Sequence, residues 1–150
     1  MTKNAIPILL LLLVCLWITS CEETGPGTSY FVSVNGDDSD SGLSPRKAWQ
    51  SIDRVNEQDF EPGDRILFQG GETFTGTLML SAEDSGIPSS RLIVASYGEG
   101  RGVVAGEALE ALKADSCQFL TIENLELRGA GRKKGNCRDG LLIYQCDGVV

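Results

Sequence analysis

Residues 62–76 read Pro-Gly-Asp-Arg-Ile-Leu-Phe-Gln-Gly-Gly-Glu-Thr-Phe-Thr-Gly. A turn leads into a short apolar run at 65–68, a glycine corner at Gly70 and Gly71 follows, and a second run starts near Thr73. Neither run has room for a helix, so the stretch has to be strand, corner, strand. The same theme returns at 78–80, 92–95, 103–105, 119–122 and 141–144, each run bounded by Gly, Ser, Asn or Asp. Many short strands with turns between them fit either a coiled stack of strands or a sandwich. The 18 glycines suit a fold made largely of turns, and one domain is enough to hold it.

Charge narrows the partners. A formal net charge of −8 with no basic stripe to offset it argues against nucleic acid or an anionic membrane surface. The chain has no histidine, which removes the commonest metal ligand and the commonest general base. Catalysis within these residues would have to use carboxylates, Lys, Arg, Tyr or Cys.

The first 20 residues read as a signal peptide. Lys3 supplies the positive start, and 8–18 is an almost unbroken apolar run, too short for the roughly 20 residues that cross a bilayer as a helix. Ile18-Thr-Ser-Cys21 resembles a bacterial lipobox, which implies cleavage before Cys21 and lipidation of that cysteine. At about 0.8 kcal/mol per buried CH₂, two or three acyl chains give a stable anchor. Residues 21–29 are polar and rich in Gly and Pro, as a flexible tether is. Glu22 and Glu23 resemble the surface-export signal of Bacteroidetes lipoproteins, and also fit a plain solvated linker. The expected location is the bacterial outer membrane or cell surface, with the lipid as the sole membrane contact.

Residues 30–34 alternate as a first strand does. The next eight, Asn-Gly-Asp-Asp-Ser-Asp-Ser-Gly, concentrate oxygen side chains as a calcium loop would, so calcium is the one cofactor the sequence raises. The EF-hand register fails, because Asp40 falls where glycine is needed and Arg46 where the bidentate glutamate is needed, and Asx turns explain the composition as well. No metal site is assigned. Ser44-Pro45 opens the one predicted helix, with Trp49, Ile52 and Val55 on one face, expected to lie across the open end of the strand stack. Trp49 on such a face is core, or alternatively a platform for a sugar ring.

Taken together, residues 30–45, Ala48-Trp-Gln-Ser-Ile52, the 62–68 run and Ser96-Tyr-Gly-Glu-Gly100 resemble the opening of bacterial proteins of the pectate-lyase-like superfamily. That resemblance spans most of 30–150. It implies an all-β fold, a right-handed parallel β-helix with an N-terminal capping helix, and a superfamily that includes polysaccharide lyases, glycoside hydrolases, epimerases and non-enzymatic surface proteins. The implied partner is a polysaccharide or other glycan, with the chain a monomer. Val149-Val150 falls inside an expected strand, so the coil is expected to continue beyond it and to carry the catalytic residues there.

Ser116-Cys-Gln-Phe-Leu120 and Gln145-Cys-Asp-Gly-Val149 place a cysteine at the same step, 29 residues apart, which suits one long coil. Cys117 and Cys146 are expected to stack on successive rungs, either as small buried thiols or as a disulfide. Residues 107–113 are expected to be strand or extended. Two constellations could carry chemistry. Arg128, Arg132, Lys133, Lys134 and Arg138 crowd a Gly-rich loop that could grip an acidic polysaccharide, or simply be solvated. Asp139 and Asp147 near adjacent turns could form a carboxylate pair, although aspartate is also what turns prefer. The lipobox makes a direct prediction: Cys21→Ser should release the protein from the membrane fraction, and continued detergent-dependent partition would contradict it.

Overall fold

In the computed structural model, which describes residues 26–129 and 140–150, ten short strands form the framework. The first is β1 (Ser29–Val32), followed by β2 (Arg65–Gln69), β3 (Thr73–Thr75) and β4 (Leu78–Leu80). Next come β5 (Leu92–Tyr97), β6 (Gly102–Gly106) and β7 (Leu112–Asp115), then β8 (Leu120–Ile122), β9 (Leu125–Gly129) and β10 (Leu141–Tyr144). They form three parallel sheets, ordered β1-β2-β5-β8, β3-β6-β9 and β4-β7-β10. From β2 onward the chain visits the three sheets in the same order three times, so each strand's neighbour is its counterpart from the next pass. The register is continuous, with Ile66 beside Val94 beside Ile122, and Phe74 beside Val104 beside Leu127.

Alternation sends one side of each strand inward. In β4 and β7, Leu78 beside Leu112 and Leu80 beside Ala114 are buried, while Met79 and Lys113 between them face outward. The inner faces of all three sheets meet in a single core that includes Ile66, Phe68, Val94, Val104 and Leu120. Removing one of its leucines would cost about 2–5 kcal/mol. Arg91 ties three passes together: its Nε donates to Thr121 Oγ1 at 2.6 Å, and its Nη2 donates to the carbonyls of Leu120 and Gly148.

Corners repeat as the strands do. Ser116 and Gln145 both take positive φ, 61° and 51°, and three residues on so do Phe119 at 50° and Gly148 at 63°. The glycine is needed there, since a Cβ on Gly148 would lie 2.9 Å from the Phe119 ring. A Cβ on Gly70 would lie 2.2 Å from the carbonyl oxygen of Glu99, so the corner between β2 and β3 also depends on glycine.

The predicted helix over Trp49, Ile52 and Val55 does not form as one piece. Pro45–Lys47 is a single 3₁₀ turn, and the α-helix α1 covers only Ile52–Asn56, capped by Ser51 Oγ on the Arg54 amide at 3.1 Å. Between them Trp49 is extended and pairs in parallel with Val32. Its N–H donates to Phe31 O at 2.9 Å, and its carbonyl accepts from Ser33 N at 2.9 Å. The break has a physical cause: Asp38 Oδ1 accepts the amides of both Gln50 (2.7 Å) and Ser51 (2.9 Å), which fixes an extended entry to α1 instead of another helical turn. Trp49 is 1% exposed, stacks on Tyr30 at 5.1 Å between centroids, and lies beneath the Arg54 guanidinium at 4.5 Å, so it is core and not a sugar platform.

Burial acts to raise the Asp38 carboxyl, but the hydroxyl and amide of Ser51, the amide of Gln50 and the charge of Arg54 outweigh it and leave the group below its ordinary value. Such a group stabilises the fold above the unfolded carboxylate value of about 3.9 and loses that contribution as pH falls through its lowered folded value. Asp38→Ala should therefore cost about 1–2 kcal/mol at pH 7 in urea unfolding, the size of a lost helix-entry cap. The gap to the parent should narrow as pH falls below the unfolded carboxylate value and through the lowered folded one; a gap that stays flat across that range would contradict the assignment.

Candidate functional site

The outer face of the β4-β7-β10 sheet carries the site. Met79, Lys113 and Leu142 stand side by side across its three strands, and Asp115 stands beside Tyr144. Helix α1 packs along β4, the edge strand of this sheet. There the side chain of Asn56 stands in for a missing strand: its Nδ2 donates to Thr77 O at 2.9 Å, and its Oδ1 accepts from Met79 N at 2.9 Å. That pairing satisfies an edge that would otherwise stay open.

Two concavities meet at Asn56 and Met79. One, about 480 Å³, runs from Gln58 and Asp59 past the loop at 81–84 to Lys113, Asp115 and Ser116. The other, about 360 Å³, lies between Asp53 and the corners at 75–77 and 107–109. Met79 and Leu109, 55% and 49% exposed, give the groove apolar surface. Such a combination, apolar floor with polar groups placed around it, suits a small-molecule or glycan segment.

The carboxylates around the first concavity differ in what they hold. Asp84 is 8% exposed and structural, its Oδ1 accepting the Phe60 amide at 3.3 Å and its Oδ2 the Ser81 amide at 2.8 Å. Asp115 pairs with Lys113 at 3.5 Å and accepts the Ser116 hydroxyl at 3.0 Å. Asp59 and Glu83 are exposed and their carboxylates make no hydrogen bond or ion pair among the described residues. They are the acceptors most open to a ligand.

Of the residues singled out from sequence, Cys21, Arg132, Lys133, Lys134 and Arg138 lie outside the described residues, as do Cys137 and Asp139. Arg128 sits on β9 with Glu126 at 2.7 Å, away from the groove. Asp147 accepts the Gly148 amide at 2.8 Å, a turn contact. The oxygen-rich loop turns two of its three carboxylates onto its own chain, Asp37 taking the amide and hydroxyl of Ser39 and Asp38 the amides of Gln50 and Ser51. Among the described residues no three carboxylates or cysteines converge on a metal position.

Cys117 and Cys146 do stack on successive rungs, with Gln118 pairing Asp147 beside them. Both are free thiols; Cys117 is fully buried and Cys146 packs against the core. Burial, with the neighbouring Cys146 and Asp84 adding to it, pushes the Cys117 thiol up to about 12, which keeps it protonated and unreactive.

Sequence reasoning missed the groove. The signals were local alternations, Leu-Met-Leu at 78–80 and Leu-Lys-Ala-Asp at 112–115, which mark Met79, Lys113 and Asp115 as outward. The uneven loops between passes hid the fact that these residues share one face.

No family model matches the chain, and no curated protein matches it. Solved structures do. The GH136 lacto-N-biosidase from Eubacterium ramulus, in native and selenomethionine forms, superposes with a TM-score of 0.63 at 20% identity over 81% of this chain. A rhamnogalacturonan lyase superposes with a TM-score of 0.51 at 15% identity over 66% of this chain. The chain spans 26% and 28% of those proteins' lengths. At these identities the likeness is one of fold: stacked parallel strands with very little helix.

Proposed function

We propose that the chain is the N-terminal part of a cell-envelope lipoprotein whose residues 30–150 form the cap and first coils of a right-handed parallel β-helix, and that it acts on polysaccharide through the outer face of the β4-β7-β10 sheet. The coil reading is supported by the repeated strand order and the shared core; right-handed crossovers between parallel strands are the general rule. The lipid anchor at Cys21 and the envelope location rest on the sequence of residues 1–21.

The observation that carries the glycan reading is the groove itself: about 480 Å³ beside an exposed Met79, with Asp59, Glu83, Lys113 and Asp115 presenting charged acceptors and a donor to hydroxyl groups. Both fold neighbours are named as enzymes of carbohydrate, a lacto-N-biosidase and a rhamnogalacturonan lyase. The reaction this reading implies is hydrolysis or lyase cleavage of a glycan. A second reading, a non-catalytic glycan-binding scaffold, is favoured by the fact that Asp84 and Asp115 are already held by groups of the chain.

Binding tests the role of this face. On a panel of immobilised plant and host glycans, the paired replacement Met79→Ala with Asp59→Asn should weaken retention about ten-fold or more, the effect of losing one charge-assisted hydrogen bond. Arg128→Ala, on another sheet, should leave retention unchanged. Equal retention by parent and paired variant, with an unchanged strand-type circular dichroism spectrum, would remove this face from the function.

A further inference from the structure

The whole chain has 21 acidic and 13 basic side chains, a moderate excess. Among the described residues, the lining of the groove is far more one-sided. Its larger concavity is lined by Asp59, Glu83, Asp84 and Asp115, and the smaller by Asp53 and Glu107. Against these six carboxylates stands, among the described residues that line the groove, one cation, Lys113, already 3.5 Å from Asp115. A concave surface lined by one sign of charge concentrates its field, and bringing a like charge into it is opposed. The exposed carboxylates of Asp59 and Glu83 can accept hydrogen bonds from neutral hydroxyl groups, and Met79 and Leu109 offer apolar surface to the C–H faces of sugar rings.

We infer that this groove takes a glycan segment free of carboxylate and sulfate groups and excludes uronate-containing or sulfated polymers. The inference rests on the glycan reading proposed above and assigns the substrate class of the same site. It also sets the groove against the basic stretch Arg132, Lys133, Lys134 and Arg138, whose charge favours the opposite class.

The test is retention of the full-length protein on matched pairs of polymers: polygalacturonate against its carboxyl-reduced form, and a sulfated galactan against its desulfated form. Within each pair that is retained at all, the uncharged member should be held at least ten-fold more tightly at low ionic strength. Raising salt to 1 M, where screening acts within about 3 Å, should narrow that gap. Asp59→Asn with Glu83→Gln should narrow it at low salt as well. Stronger retention of the acidic members would overturn the assignment of substrate class while leaving the glycan reading standing, and its loss on Lys133→Ala with Lys134→Ala would place acidic-glycan recognition in the basic stretch. Absence of retention on every polymer, charged or not, would sink the glycan reading and this inference with it.

Discussion

In-register pairing of parallel strands from successive passes is the constraint on which this structure depends. Each ladder hydrogen bond contributes only about 1 kcal/mol net, whereas a buried backbone group left without a partner costs about 1–3 kcal/mol. Any stack of this kind has edges, and the described residues show two ways of closing them. At the start of the first sheet the backbone of Trp49 pairs with β1, and its ring fills the core above Tyr30. At the start of the third sheet the side-chain amide of Asn56 takes the place of a strand along β4. The first device covers the start of the strand stack; the second places α1 along the groove.

Because the side chains alternate, every rung that buries a leucine also presents its neighbour to solvent. Burial of Leu78, Leu80, Leu112 and Ala114 therefore aligns Met79 with Lys113 and puts Asp115 on the same outer face. The groove is thus a by-product of core packing and register, with its walls supplied by α1 and by the loop that Asp84 holds closed through the Phe60 and Ser81 amides. Core, register and site are coupled, so a one-residue slip of β7 against β4 would turn Lys113 and Asp115 to the wrong face.

Much of the fold was legible in the sequence. Runs such as 78–80 and 141–144 coincide with strands, and the echo of Cys117 in Cys146 marks a real step between rungs, down to the shared positive φ at Ser116 and Gln145. The helix was misread because Trp49, Ile52 and Val55 have helical spacing, while the decisive contact, Asp38 on two amides a dozen residues away in sequence, leaves no periodic trace. The groove escaped the sequence reading for a related reason. A basic cluster is visible in sequence, but an acidic groove assembled from α1, β4, β7 and two loops becomes visible only once their register is fixed.

Met79 permits the most direct test of the account. The chain has two methionines, Met1 and Met79, so selective ¹³C-methyl labelling places a reporter at the centre of the groove. Titration with an uncharged oligosaccharide that the protein retains should shift the Met79 methyl signal progressively and saturably. A glycan that binds while leaving that signal unmoved would show that recognition lies elsewhere on the protein, and would contradict the assignment of function to this face.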